Sequence, residues 1–184
     1  WAFWQRFANG TWEAPLLDRI PGFLAAGGTF VDVGAWVGPH TLWASRFADY
    51  VVSAEPDPTA YAMLTENVRN NCENVTLHNV AVLDYEGTTT IGTAGDSESQ
   101  TGGDGVEVAC RTLTDLLPDE TALVKVDSEG AEDRVIPQAA DHLQEHGVPL
   151  ILSVHPWCDT KAVRAALETW RVEELAQGEF LCLP

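Results

Sequence analysis

Two glycines, Gly34 and Gly38, stand directly after the apolar stretch TFVDV at 29–33, and no other feature constrains the fold as much. Four β-prone residues around one acid, Asp32, read as a short buried strand, and glycines at its end let the backbone turn sharply and approach a ligand closely. Residues 39–48 carry helical spacing, so the turn opens a helix whose first N–H groups face whatever lies at the strand end. A second strand, 51–54, runs into the acid Glu55. Strand, glycine turn, helix, strand, acid is the opening of a doubly wound α/β sheet, where ligands bind at the carboxyl ends of the strands.

The alternation continues along the chain. A helix over 58–71 begins at Pro58, which a first helical turn tolerates, and keeps Ala60, Met63, Leu64 and Val68 at helical spacing. A strand over 75–79 follows, and 81–91 reads as further strand around a Glu86-Gly87 turn. Residues 92–105 are rich in glycine, serine and acids, which predicts a mobile loop placed where a lid could form. Extended residues 106–109, a strand 122–126 ending at Asp127, a helix 131–146, a strand 150–154 ending at His155, a helix 161–170 and two short extended pieces, 172–175 and 180–183, complete the chain. The expectation is one domain over 1–184, α/β and doubly wound, with a mainly parallel, seven-stranded-type sheet and helices on both faces. Residues 1–28 place Trp1, Phe3, Trp4, Phe7 and Trp12 ahead of Leu16, Leu17, Ile20, Phe23 and Leu24 at helical spacing. They read as an amphipathic cover over one sheet face in preference to a substrate lid.

Composition narrows the classes of function. The 184 residues, 45% hydrophobic, suffice for one core. Against 28 acidic residues stand 10 basic ones, of which only Lys125 and Lys161 are lysines, for a net charge of −18. Such a surface repels phosphate backbones, so a nucleic-acid partner is not expected. Self-repulsion at this charge is relieved at molar salt, where the Debye length falls to about 3 Å, and a salt-adapted source is expected. Apolar runs fall short of the roughly 18 residues a membrane span needs, and no charged-then-apolar leader is visible, so the expectation is a soluble, cytoplasmic protein without a membrane partner. Cys72, Cys110, Cys158 and Cys182 are scattered without a CxxC pair and read as reduced thiols.

An acid closing the second strand is placed to accept hydrogen bonds from both hydroxyls of a ribose, so turn and acid together fit an adenosine-containing ligand. A dinucleotide site wants a glycine where this chain has Trp36, whose indole obstructs a pyrophosphate. S-adenosylmethionine carries no phosphate. Its carboxylate and ammonium need backbone groups and an acid, which residues 32–38 offer through Asp32 and the glycine turn. A nucleotide-dependent oxidoreductase and a catalytically silent binding protein of the same fold stand as alternatives.

The run VDVGAWVGPHTL (31–42), AEPDP (54–58), NVRNN (67–71), NVAV (79–82) and above all KVDSEGAE (125–132) resemble, in order and spacing, the FkbM-type methyltransferases over about 29–155. That resemblance implies a class I methyltransferase fold, S-adenosylmethionine as donor, and transfer to a hydroxyl of a sugar, glycan, polyketide or related small metabolite. Carried over by position, Asp32, Gly34, Ala35 and Gly38 line the methionine end, where His40 reaches the donor's carboxylate. Glu55 takes the ribose, Pro56 belongs to the same cofactor segment, and Asp57 and Asn79 take the adenine side.

For catalysis, Asp127 ends a central strand and is the candidate for orienting or deprotonating the acceptor, and His155 opens onto the same edge and could take its proton. Lys125 lies within a buried strand and needs a carboxylate partner such as Glu129 or Asp127. Glu129 and Glu132 are also read as acids complementing a helix start. A divalent ion between Asp127 and His155 has only two scattered ligands behind it. The resembling proteins tend to carry an acid two residues before this histidine, and here Ser153 stands there. No metal is expected.

Overall fold

The computed structural model describes residues 2–92 and 105–184, so the loop expected at 92–105 lies, between 93 and 104, outside the described residues. Three short helices, α1 (Ala2–Ala8), α2 (Ala14–Leu17) and α3 (Ile20–Leu24), precede strand β1 (Thr29–Val33). Then come α4 (Pro39–Ala44), β2 (Tyr50–Ala54), α5 (Pro58–Asn71), β3 (Val75–His78), β4 (Ala81–Leu83) and β5 (Gly87–Ile91). The second half runs β6 (Val106–Thr112), a 3-10 turn (Thr114–Leu116), β7 (Thr121–Val126), α6 (Glu132–Glu145), β8 (Leu150–Ser153), α7 (Thr160–Ala166), β9 (Arg171–Ala176) and β10 (Glu179–Leu183).

Seven strands form the main sheet in the order β3-β2-β1-β7-β8-β10-β9. The first five are parallel, and β10 pairs antiparallel with both β8 and β9. From β1 the chain winds outward through β2 and β3, then returns to lay β7 on the other side of β1. That reversal leaves a crevice above the carboxyl ends of β1 and β7, the place where doubly wound sheets bind ligands. Strands β1 and β8 are buried along their whole length, which is why they read as near-continuous apolar runs. One exception matters for the site: register sets Asp32 of β1 beside Lys125 of β7, two ionisable side chains inside the sheet.

Both faces of the sheet are covered. On one, Leu16, Leu17, Ile20 and Leu24 of the N-terminal segment pack with Ala44 onto Phe30, Val51, Leu123 and Ile151. At about 1.5–3 kcal/mol for each large apolar side chain buried, these four contribute substantially to holding the segment down. On the other face, Val135, Ile136, Ala139 and Leu143 of α6 and Val163 of α7 meet Val31, Val33, Val124, Val126 and Leu152. Helix α5 adds Leu64 and Val68 beside Ala35.

The stretch 81–91 differs from its expectation. Strands β4 and β5 do not form a hairpin about Gly87; β6 lies between them, parallel to β4 and antiparallel to β5, in a separate three-stranded sheet. Cys110 pairs with Ala81 on one side and Gly87 on the other, so the partner strand enters from much later in the chain.

Candidate functional site

The crevice above β1, β2, β7 and β8 holds a cavity of about 860 Å³, within the range of small-molecule sites. Its floor is the turn after β1. The Gly34 and Ala35 N–H groups both donate to the Ala54 carbonyl, at 3.0 and 3.1 Å, and the Asp127 N–H donates to the Val33 carbonyl at 3.0 Å. A Cβ on Gly34 would lie 1.7 Å from the Asp127 carbonyl oxygen, and its φ of +74° is one that side-chain-bearing residues rarely adopt. Only glycine lets the ends of β1 and β7 come this close.

At the β2 side, Glu55 points back over the turn. One carboxylate oxygen accepts from the Trp36 N–H at 2.7 Å and the other from the Asp57 N–H at 2.8 Å. Burial nevertheless raises its pKa to about 7, the two hydrogen bonds offsetting only part of the desolvation. Pro56, Ala60, Val80 and Val82 continue the wall beyond it, an apolar surface suited to a flat heterocycle. Trp36 holds φ at 49° and sets its ring edge-on to Phe3 of α1, centroids 4.7 Å apart.

The β7 and β8 ends carry the charge. Lys125 is buried, 3.3 Å from Asp127 and 3.8 Å from Asp32. Burial alone would depress its ammonium, but the charges of Asp127, Asp32 and Glu13 outweigh that and raise it, so it stays cationic. His155 is held on both ring nitrogens: Nδ1 lies 3.2 Å from Glu132, and Nε2 lies 3.1 Å from Glu129 and 3.6 Å from Asp127. Burial opposes its cationic form, yet the hydrogen bond with Glu132 and the charges of Asp127 and Glu129 prevail and lift it above its ordinary 6.5. Glu132 is wholly buried and also accepts from the Ser128 and Gly130 N–H groups; burial would raise its pKa, but the His155 hydrogen bond and then the Gly130 N–H outweigh that and lower it. One ligand atom each of Asp127, Glu132 and His155 lies within 4.8 Å of the others, a spacing a divalent cation could bridge.

On the floor beside α4, His40 Nε2 lies 3.0 Å from a carboxylate oxygen of Glu13. Burial and the Lys125 charge push the imidazole down to about 3, so it is neutral and the contact is not an ion pair; neither Nε2 nor that carboxylate oxygen has a hydrogen-bond partner among the described residues. Glu13 itself is raised to about 7, first by burial. Glu179, at the start of β10, is raised to about 7 by burial and then by the charges of Glu13 and Asp127. Glu13, Trp36 and Glu129 have φ of 43°, 49° and 52° and are the non-glycine residues with positive φ among the described residues; all three line this cavity. Each costs on the order of 1 kcal/mol, a strain that surrounding packing must hold and that gathers at functional sites.

Of the residues the sequence singles out, Gly34, Ala35, His40, Glu55, Pro56, Lys125, Asp127, Glu129 and His155 line the cavity. Asp32, Gly38, Asp57, Asn79 and Glu132 stand behind it. Asp32 lies beneath the turn, accepting from the Thr41 hydroxyl at 2.6 Å. Gly38 is the N-cap of α4. Asp57 caps α5 through the Thr59 and Ala60 N–H groups, and the Asn79 amide donates to the Glu55 and Pro56 carbonyls, fixing the segment that carries Glu55. Lys125 has Asp127 as partner, as one of its two expected options, and adds Asp32; Glu129 turns to His155. Sequence reasoning missed Glu13 and Glu179. Neither sits in a motif, and only the pairing of β10 with β8 and the packing of α2 bring them to the crevice.

Residues 32–170 match the Methyltransferase FkbM domain family. No curated protein matches the chain. Among solved structures, a methyltransferase FkbM from Methylobacillus flagellatus KT is similar with a TM-score of 0.61 and 17% identity, over 86% of this chain and 44% of that one. The chain thus spans less than half the length of that protein. A precorrin-6y C5,15-methyltransferase from Geobacter metallireducens GS-15 gives 0.57 at 17% identity, over 91% of this chain and 84% of that one. An rRNA methylase from Streptococcus thermophilus gives 0.57 at 11%, over 91% of both. At these identities the likenesses speak to the fold.

Proposed function

Since the chain belongs to the FkbM methyltransferase domain family, we propose that it transfers a methyl group from S-adenosylmethionine to a hydroxyl oxygen of a sugar, glycan or other small metabolite. One observation carries the transfer to oxygen: His155, just past the end of β8, has Nδ1 secured by the buried Glu132 and Nε2 turned toward Glu129, Asp127 and the cavity they line. The turn also suits the donor. Gly34 leaves room where any Cβ would strike backbone, Glu55 presents a carboxylate at one end, an apolar wall follows it, and Trp36 stands where a dinucleotide motif calls for glycine.

When bound, S-adenosylmethionine supplies an electrophilic methyl on a cationic sulfur; the new C–O bond forms as the C–S bond breaks, its electron pair passing to sulfur. Residues of the chain do the rest. With Glu132 accepting from Nδ1–H, neutral His155 takes the acceptor's proton at Nε2 once the acceptor hydroxyl displaces Glu129, whose carboxylate lies 3.1 Å from that nitrogen. Asp127, tied to Lys125 through one oxygen, offers the other to orient the acceptor hydroxyl. Positioning carries much of the rate in such a displacement, and proton removal adds about 10²- to 10⁴-fold. The net charge of −18 favours an acceptor without a phosphodiester backbone. Methyl incorporation from labelled donor across a panel of glycosides, glycans, polyols and RNA tests the proposal. Labelling confined to RNA, or none at all, refutes it.

A further inference from the structure

The donor's amino-acid tail ends in an ammonium and needs an acid, and the one expected of the glycine turn, Asp32, is out of reach. It is wholly buried beneath the turn, does not line the cavity, and is engaged by Thr41 and Lys125. We infer that Glu13, lying against His40, receives the ammonium of the donor's amino-acid tail. This inference rests on the donor reading above and deepens it.

Three observations point the same way. Glu13 comes from the N-terminal segment, outside the matched residues 32–170, yet its side chain reaches the first turn of α4, where His40 is 4% exposed and 3.0 Å away. The chain makes this reach by holding Glu13 in the left-handed region: its carbonyl accepts from the Leu16 and Leu17 N–H groups, those two leucines are buried under the sheet, and on the other side Trp12 lies against His40, ring centroids 4.9 Å apart. The third observation is charge. Glu13, Asp32, Asp127 and Glu179 surround one buried ammonium, that of Lys125, which is already shared by Asp32 and Asp127; His40 is neutral and contributes none. One Glu179 carboxylate oxygen is buried without a hydrogen-bond partner among the described residues. A second cation settles that imbalance, and the tail of the donor carries one. In the donor reading above Glu55 takes the ribose, which leaves the tail to run along the glycine turn toward Glu13.

The test compares two ligands that share the nucleoside and sulfur but differ in the tail. S-adenosylhomocysteine has it; 5′-methylthioadenosine does not. By titration calorimetry, Glu13→Gln is expected to weaken S-adenosylhomocysteine about tenfold or more while leaving methylthioadenosine within about twofold, since a charge-assisted bond is worth roughly a tenfold step. Glu13→Asp, which keeps the charge on a shorter stem, should recover part of the loss, and it serves alone if the Gln variant fails to fold. Equal weakening of both ligands marks a structural role and overturns the inference, as does unchanged S-adenosylhomocysteine binding. If the unaltered protein takes up neither ligand, the donor reading falls as well, and the two failures are thereby told apart.

Discussion

Replacing Gly34 by alanine tests the close approach on which the whole crevice depends. The new methyl would sit 1.7 Å from the Asp127 carbonyl oxygen, and contacts under 3.0 Å essentially never occur, so the ends of β1 and β7 must separate. Separation stretches the backbone hydrogen bond that joins them, Asp127 N–H to Val33 at 3.0 Å, worth about 0.5–1.5 kcal/mol. The left-handed φ adds about 1–2 kcal/mol for any side chain. Gly147 separates the two contributions. Its φ is +66° and a Cβ there meets nothing within 4 Å, so Gly147→Ala carries the conformational cost alone. Urea unfolding of both variants should therefore show Gly34→Ala less stable than Gly147→Ala by at least about 0.5–1.5 kcal/mol, a difference of a few degrees in Tm at this chain length. Calorimetry with S-adenosylhomocysteine should show affinity lost in the first variant and kept in the second. If the two alanine variants unfold at the same urea concentration, the two strand ends do not meet as described and the reasoning fails.

Asp127→Asn should lower turnover with donor affinity little changed, and His155→Gln should cost about 10²- to 10⁴-fold in kcat, the span of general-base catalysis; full activity in either sinks its assignment. Because His155 is held above its ordinary 6.5 and works as the neutral base, kcat/KM should be low at acid pH and rise as pH passes through the raised value. Glu132→Gln removes the largest stabiliser of the imidazolium, so the rising limb should move to lower pH while the maximum rate falls; a limb that stays in place assigns it to another group. Thermal unfolding against KCl should give a Tm that climbs from low to molar salt as the charge of −18 is screened, whereas a flat curve rules out salt adaptation.

What could be read from the amino acids depended on how local the cause was. Strand β1, helix α5 and strand β7 follow from apolar runs and helical spacing within a few residues, and the glycine turn announces itself by position. Asp57 shows how a local signal can carry two meanings: in AEPDP it reads as a ligand contact, while Asp-Pro-Thr is equally a helix start, and the structure shows it capping α5. Other features have distant causes. The partner of β4 and β5 enters only at Val106, the pairing of Asp32 with Lys125 is set by sheet register, and Glu13 reaches the crevice because leucines after it are buried on the opposite side of the turn. No window along the chain contains those relationships.

Three side-chain-bearing residues from unconnected segments, Glu13, Trp36 and Glu129, are held where glycine or asparagine would be at ease. An engineer seeking a hardier protein would begin with those positions, because each exchange promises about 1 kcal/mol. The gain would come at the rim of the crevice, trading the reach of a carboxylate or an indole for backbone comfort. Improvement by that route and retention of the cavity pull in opposite directions, so stabilisation is better sought in the apolar layers beneath.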